Sequence, residues 1–436
     1  MIVRYLDRQP DGELAYWTWL NHNASGWSSV SDLPQLAGAL QRSESSEFWI
    51  RIEVEHTPAT LNNSYFRIHH SGSFMMYVNG DPRASAAGPS DQARTYHVSP
   101  RRPEVLGKNL YAIHFQHEQG PKPIFDVELV ISPWVCVDPG TPAPEPIIPD
   151  SIRDAQISRG PDEAWYLTGT TGDEVSLRPG PECWLRNPGI QLFRSTDLKS
   201  WSSLGYVWTF ERDGTWNKEM GSFGGRGPAR GIFAPEFATI NDKYWLSYSV
   251  NNSVPGRSHG IGLLVASQAA GPYREISPDH PLTEGFDPHI FVDDDGTVYL
   301  LKHGGHIARM KPDMSGLAEP FRHLPAANYP YVGYEGVSMF KYAGRYYLTS
   351  ADWNVHEDGT QSYDSMIASS DSVYGPYGPR YCALRYGGHN SYFEGPGGEL
   401  YATIWCYPDS GAHWQKVSII RMDWDAQGRL APVSPR

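Results

Sequence analysis

Cysteine is scarce: the chain has four in 436 residues (Cys136, Cys183, Cys382 and Cys406), with no C-x-x-C spacing. This excludes a thiolate metal motif and leaves no evident disulfide framework. Basic charge is also short. Lys and Arg total 36 against 49 Asp and Glu, a formal net charge of −13, so neither nucleic acid nor an anionic membrane surface fits as the main partner. No run of 18 apolar residues occurs, so no membrane-spanning helix is expected. The opening MIVRYLDRQPDG lacks the apolar stretch of a signal peptide. The expectation is a soluble cytoplasmic protein, or a secreted or periplasmic one whose signal peptide has been removed.

Aromatic and turn residues are plentiful. There are 15 Trp and 26 Tyr beside 43 Gly and 36 Pro, and long helical periodicities are few. That combination predicts an all-β chain, and the length favours two or three domains. Aromatics beside acids suit a neutral polar ligand such as a carbohydrate, although most Trp and Tyr belong to cores.

Six prolines fall between Pro133 and Pro149 in PWVCVDPGTPAPEPIIP. Such a stretch cannot donate a regular backbone ladder and reads as a stiff connection. The expected division is a β-sandwich over 1–135, a linker over 136–149 and a second domain over 150–436. In the first part FWIRIEVEH, SYFRIHH, SFMMYVNGD and NLYAIHFQHE alternate with the period of strands, and Asn79-Gly80 marks a hairpin. The segments MYVNG and LGKNLYAIHF resemble galactose-binding-like jelly-roll domains attached to glycosidases. The resemblance implies an accessory role, shielding or extending the second domain, or sugar binding of its own.

The second part repeats. Short aromatic strands follow turn signals in DEAWYLTGT, NDKYWLSYS, DGTVYLLK, GRYYLTS and GGELYATIW, at intervals of roughly 45 to 80 residues. Five copies at such periods predict a five-bladed β-propeller. RSTDLKSWSSLG, VASQAAGPYRE and ASSDSVYGPYG read as outer-strand connections. Stepping back twelve residues from Tyr166, Trp245, Tyr299, Tyr347 and Tyr401 reaches Asp154, Phe233, Asp287, Glu335 and His389. Equivalent blade positions converge on the channel, where neighbouring acids shift one another's pKa. In EGFDPHIFVDDDGTVYLL the acids lack the positions of a calcium loop, so Asp293, Asp294 and Asp295 are read as solvated turn residues. The glycine-rich stretch MGSFGGRGPARG (220–231) lacks Gly-Lys-Ser/Thr and is read as a wall of the pocket.

The early Asp154 in SIRDAQI, the Asp-Pro of FDPHIFVDDDGTVYL and the Glu of YEGVSMFKYAGRYYLTSA resemble, in that order, glycoside hydrolase family 43. IFAPEFATINDKYWLSYS and GHNSYFEGPGGELYATI resemble its second and fifth blades. The resemblance implies an inverting, exo-acting hydrolase releasing terminal α-L-arabinofuranosyl or β-D-xylosyl residues from plant polysaccharides or oligosaccharides. It implies Asp154 as general base, Glu335 as general acid and Asp287 as the residue that raises the acid's pKa and orients it. Ala155 stands where the family more often has Pro. His389 is the counterpart of a histidine near a channel calcium or sodium ion, and a hydrogen-bonded structural role is its alternative. Phe233 and Trp353 are candidates for stacking on the sugar, or for core. Taken singly, Asp154 also suits a turn cap and Asp287 an Asp-Pro turn. A galactan- or galactoside-active member, a binding propeller without catalysis, and a fructan-active or phosphorolytic propeller remain as other readings. No Asn-Asp-Pro motif opens the repeats, Glu182-Cys183 lies after the first of them, and Arg226 and Arg230 are the only nearby cationic pair at a phosphate-like loop.

Overall fold

The computed structural model describes residues 1–6, 26–57, 60–61, 63–97, 105–118, 120–132, 134–172, 187–219, 231–250, 259–406 and 415–433. The glycine-rich stretch 220–231 lies almost wholly outside them. The chain divides into two compact units, the first Met1–Val135 with Asn328–Pro330 and Trp353–Gln361, the second the remainder.

The first unit has a six-stranded sheet and a three-stranded one, all of whose paired strands run antiparallel. Glu47–His56 and Gly107–His117 pair along their whole lengths at the centre of the larger sheet. Phe48, Ile50, Ile52 and Val54 alternate onto one face. They share a buried cluster with Phe66 and Ile68 of Ser64–His70 and with Phe125 and Val127 of Phe125–Ile131, so the two sheets enclose one core. Asn79 and Gly80, both at positive φ, make the two-residue turn between Gly72–Val78 and Asp81–Ala86. One helix, Leu33–Arg42, was not anticipated. Asp32 caps it by accepting from the Gln35 N–H, and Leu33, Leu36 and Leu40 pack into the same core.

The second unit is a five-bladed β-propeller. Each blade's sheet is built from strands consecutive in the chain. Blade I comprises Ile152–Arg159, Trp165–Thr171, Gly189–Ser195 and Ser202–Thr209. Blade II comprises Ile232–Ile240, Lys243–Val250, Gly260–Ala266 and Arg274–Glu275, with Thr283–Glu284 added at the third strand. Blade III comprises His289–Val292, Val298–Lys302, His306–Arg309 and Arg322–His323. Blade IV comprises Glu335–Tyr342, Arg345–Val355, Gln361–Ser370 and Tyr381–Leu384, of which Trp353–Val355 and Gln361 are counted with the first unit. Blade V comprises Tyr392–Glu394, Leu400–Ile404, Ser418–Trp424 and Leu430–Pro432. The aromatic repeats of the sequence are the second strands. The three outer-strand connections join third strands to fourth. Apolar side chains fill the space between blades, as where Tyr166 stacks on Phe237 at 4.5 Å and Phe340 on Tyr392 at 5.0 Å.

The proline-rich segment 136–149 falls within the second unit. Val137 N–H donates to Cys382 O, Ile147 N–H to Val417 O, and Ser418 Oγ to Pro144 O. The segment is therefore fastened to blades IV and V before the chain enters blade I.

One turn residue corrects the reading of the sequence. Asp294 is exposed, but the Asp293 side chain is only 10% exposed, bonded to Lys341 Nζ at 2.7 Å and to Tyr346 Oη at 2.6 Å. Burial alone would raise its pKa, and the hydrogen bonds from Lys341 and Tyr346 hold it below the ordinary value. Asp293 thus joins blade III to blade IV.

Candidate active site

The innermost strands reach the channel mouth through a shared irregularity. In blades I, II and IV the pairing with the second strand skips, between Arg153 and Gln156, Phe233 and Glu236, and Glu335 and Ser338. The first skipped residue has positive φ in each: Asp154 (53°), Ala234 (44°) and Gly336 (61°). Asp287 (52°) and His389 (48°) adopt the same conformation just ahead of the inner strands of blades III and V. Bulges of this kind re-aim a side chain out of the ladder.

These five residues are the equivalent positions, because the residue four further on faces the expected aromatic each time. The pairs are Ser158 with Tyr166, Ala238 with Trp245, Phe291 with Tyr299, Phe340 with Tyr347 and Phe393 with Tyr401. The twelve-residue step holds for blades I, III and V. It lands one residue early in blades II and IV, whose hairpins close with the two-residue turns Asn241-Asp242 and Ala343-Gly344. Phe233 and Glu335 therefore stand level with Arg153, Phe286 and Gly388, one step nearer the mouth.

The carboxyls differ in their surroundings. Asp154 Oδ2 accepts from Thr170 Oγ1 at 2.7 Å, and Thr170 Oγ1 accepts from the Ala234 N–H at 2.8 Å. Asp287 is buried and its Oδ2 accepts from the Gly336 N–H at 2.8 Å. Burial pushes its carboxyl up to about 7; His389 opposes the rise, while Glu335 and Asp154 add to it. Glu335 is half-buried, and its Oε1 accepts from Tyr363 Oη at 2.9 Å. Burial, then Glu335, Asp287 and Asp154, drive the Tyr363 phenol far above its usual range, so it remains a neutral donor.

His389 stands between two of these acids, with Nδ1 3.4 Å from Asp154 Oδ1 and 3.6 Å from Asp287 Oδ2. Burial works to lower its pKa, but Asp287, Asp154, Glu236 and Glu335 together outweigh that and hold it above the ordinary imidazole value. Its backbone carbonyl accepts from Trp405 Nε1 at 3.0 Å, and the Arg153 guanidinium lies 4.8 Å over the Trp405 ring. Calcium takes six to eight oxygen ligands. Among the described residues no group of three or more His, Cys, Asp or Glu could hold a metal ion. The residues present do not fit a directly ligated calcium, and His389 is placed here as a partner of carboxylates.

Of the six residues singled out in the sequence, Asp154, Asp287, Glu335 and His389 come together. Phe233 is buried in the propeller, its carbonyl accepting from Ser249 Oγ at 3.1 Å. Trp353 lies near the end of Arg345–Val355, two residues beyond the Ala351 that pairs with Glu335.

Two functional candidates escaped the sequence. Thr170 stands opposite Arg153 at the channel end of a buried second strand, one of three threonines in WYLTGTT, so nothing local singled it out. Tyr363 lies on a third strand, outside the repeat. Two residues beyond the mouth positions runs a second polar ring of Gln156, Glu236, His289, Ser338 and Ser391, all buried. Gln156 exchanges two hydrogen bonds with the backbone of Phe237, His289 bridges Glu236 Oε2 at 2.6 Å and Met339 O at 2.9 Å, and Ser391 Oγ accepts from Ile157 N–H at 3.0 Å. These bonds satisfy the buried groups and link neighbouring blades.

The chain matches the model of glycosyl hydrolases family 43 over residues 143–430. It is 27% identical over 232 residues to a putative beta-xylosidase of Escherichia coli K12, covering 48% of this chain and 40% of the relative. It is 27% identical over 228 residues to an arabinoxylan arabinofuranohydrolase of Bacillus subtilis, covering 43% and 40%. The chain thus spans about two fifths of the length of these curated relatives. A beta-xylosidase/alpha-arabinofuranosidase from a compost metagenome, solved with xylotriose in a calcium-free form, superposes with a TM-score of 0.53 at 19% identity. That alignment covers 68% of this chain and 98% of the other; at such identity the likeness concerns the fold.

Proposed function

This chain belongs to glycosyl hydrolase family 43, and from that premise and the carboxyl geometry we propose an inverting, exo-acting glycoside hydrolase. Its substrates are terminal β-D-xylosyl or α-L-arabinofuranosyl residues of plant polysaccharides or their oligosaccharides. The observation that carries the proposal is the convergence of Asp154, Asp287 and Glu335 on one channel, each with a different partner. The xylosidase and arabinofuranohydrolase names of the relatives support the choice of pentose.

Asp154, whose Oδ2 accepts from Thr170, acts as general base. It takes a proton from a water whose oxygen attacks the anomeric carbon. The glycosidic C–O bond breaks on the opposite face, and Glu335 delivers a proton to the departing oxygen. Because Tyr363 donates to Oε1 of Glu335, Oε2 is the atom left to carry that proton. In such a pair the carboxyls stand about 6.5–9.5 Å apart to admit the water. Asp287 shares the pocket's charge and, through the Gly336 N–H, fixes the backbone next to Glu335. An ion near His389 would be held through water, and no step here depends on it.

The test is p-nitrophenol release from α-L-arabinofuranoside, β-D-xyloside, β-D-galactoside and β-D-fructofuranoside by the wild type, Asp154→Asn and Glu335→Gln. Turnover of one of the first two, reduced by several orders of magnitude in Asp154→Asn, is expected. The acid variant retains more activity on so good a leaving group than on an alkyl glycoside. Release from the galactoside or fructofuranoside alone overturns the pentose, and near-normal rates in Asp154→Asn overturn its role as base.

A further inference from the structure

We propose that Cys136 and Cys382 are a redox-controlled fastening on the strap that reinforces the propeller's ring. Cys136 precedes the segment matched to the family, and the site is separate from the carboxylates. The two residues face each other in a parallel bridge, with Val137 N–H donating to Cys382 O at 2.9 Å and the sulfurs 3.0 Å apart. A disulfide needs about 2.05 Å between sulfurs and Cα atoms within about 7 Å. Backbone pairing brings the two main chains together, and side-chain rotation closes the remaining gap. Neither cysteine is held in a disulfide in this structure.

The consequence follows from the topology. No strand is exchanged between blades I and V among the described residues. Side-chain bonds hold that seam, among them Thr403 Oγ1 to Ala155 O at 2.7 Å and Trp165 Nε1 to Glu394 O at 3.1 Å. The segment from Cys136 to Ser151 supplies main-chain support. It starts at Cys382 on the outermost strand of blade IV, and buried Asp138 pins it there through the Arg385 N–H at 2.8 Å. It then pairs Ile147 with Val417 and Ser151 with Lys416 before blade I begins at Ile152. A covalent bond at Cys136 would fix the far end of this strap and close a loop that contains blades I to IV.

The oxidant is a low-molecular-weight organic disulfide of the glutathione class. Half-buried Cys136, as thiolate, attacks one sulfur of that disulfide and releases one thiolate. Buried Cys382, once deprotonated, attacks the Cys136 sulfur of the mixed disulfide and releases the second. The two protein protons end on the two departing thiols, so the protein loses two electrons and two protons and the reagent gains them. Burial, with Cys136, Asp364 and Asp138 nearby, holds the Cys382 thiol far above its ordinary pKa, so it reacts second.

The test incubates the full chain with oxidised glutathione or with dithiothreitol. Thiols are then counted in denaturant, cross-linked peptides mapped by mass spectrometry, and Tm measured. Oxidation should remove two of the four thiols, yield a Cys136–Cys382 peptide pair and raise Tm by roughly 5–10 °C. Cys136→Ser should abolish all three changes; being half-buried, it is the safer variant than Cys382→Ser. Four titratable thiols after oxidation, a different pairing, or a bond formed with no change in Tm each overturn the proposal. The peptide map on the wild type decides the pairing even if a variant folds poorly.

Discussion

Replacing Gly336 by Ala tests how tightly the mouth of the channel is assembled. A Cβ at this position would stand 2.6 Å from Cβ and Cγ of His389 and 2.7 Å from its Cα, and the backbone is at φ +61°. Left-handed conformation costs a non-glycine residue about 1 kcal/mol, and overpacking a dense site costs about 1–3 kcal/mol. The variant should lose about 2–4 kcal/mol of stability in urea denaturation. The same displacement acts on Glu335, one residue away, and on the Gly336 N–H that bonds Asp287. Since a misplacement of about 1 Å can cost about 100-fold in rate, kcat/KM should fall by at least that factor. Gly344→Ala is the comparison. It has φ +79° but nothing within 4 Å of its Cβ, so it should lose about 1 kcal/mol and keep its activity. A Gly336→Ala protein with the stability and rate of Gly344→Ala would refute the assembly described for this site.

Three further outcomes are expected. Asp287→Asn removes the buried carboxyl that is pushed up to about 7, so the limb of the kcat/KM profile that follows its ionisation should disappear with kcat reduced; an unchanged profile denies Asp287 a part in the chemistry. Glu275 in blade II is buried, accepts from Tyr248 Oη, and is pushed by burial up to about 8. Its protonated form is favoured in the fold, so its contribution to stability is complete below pH about 4.5 and is lost as pH rises through about 8. Glu275→Gln should therefore lack a loss of about 3–5 kcal/mol that the wild type suffers between pH 5 and 9, and parallel stability curves would contradict this. Thr170→Val leaves Asp154 Oδ2 without its hydroxyl donor and the Ala234 N–H without its acceptor; kcat should fall about 10-fold to 100-fold while KM changes little, and a change confined to KM would reassign Thr170 to substrate binding.

The blades were legible because each second strand carries its own turn signal and aromatic alternation, which are local properties of sequence. The channel was legible only in part, because counting back from those strands crosses a hairpin whose length varies. Two-residue turns at Asn241-Asp242 and Ala343-Gly344 displaced the count by one in blades II and IV. Glu335 reaches the site all the same, since the bulged backbone at Gly336 places it beside its level neighbours. The polar ring of Gln156, Glu236, His289, Ser338 and Ser391 was hidden for the same reason: its members align only once the bulges are known. Tyr363 was hidden because a third strand meets the carboxyls only through tertiary packing, and Thr170 because its partner across the ladder depends on the bulge at Asp154. The proline-rich stretch was read for stiffness, but its hydrogen bonds to blades IV and V depend on partners about 245 to 275 residues away.

The most direct test of the central claim is the anomeric configuration of the sugar released from the preferred aryl pentoside. It is followed by proton NMR in the first minutes, before mutarotation. With Asp154 activating water and Glu335 protonating the leaving oxygen in a single displacement, the nascent sugar has the configuration opposite to that of the substrate. A first product with retained configuration would require a covalent intermediate on one of these carboxyls and would contradict the account.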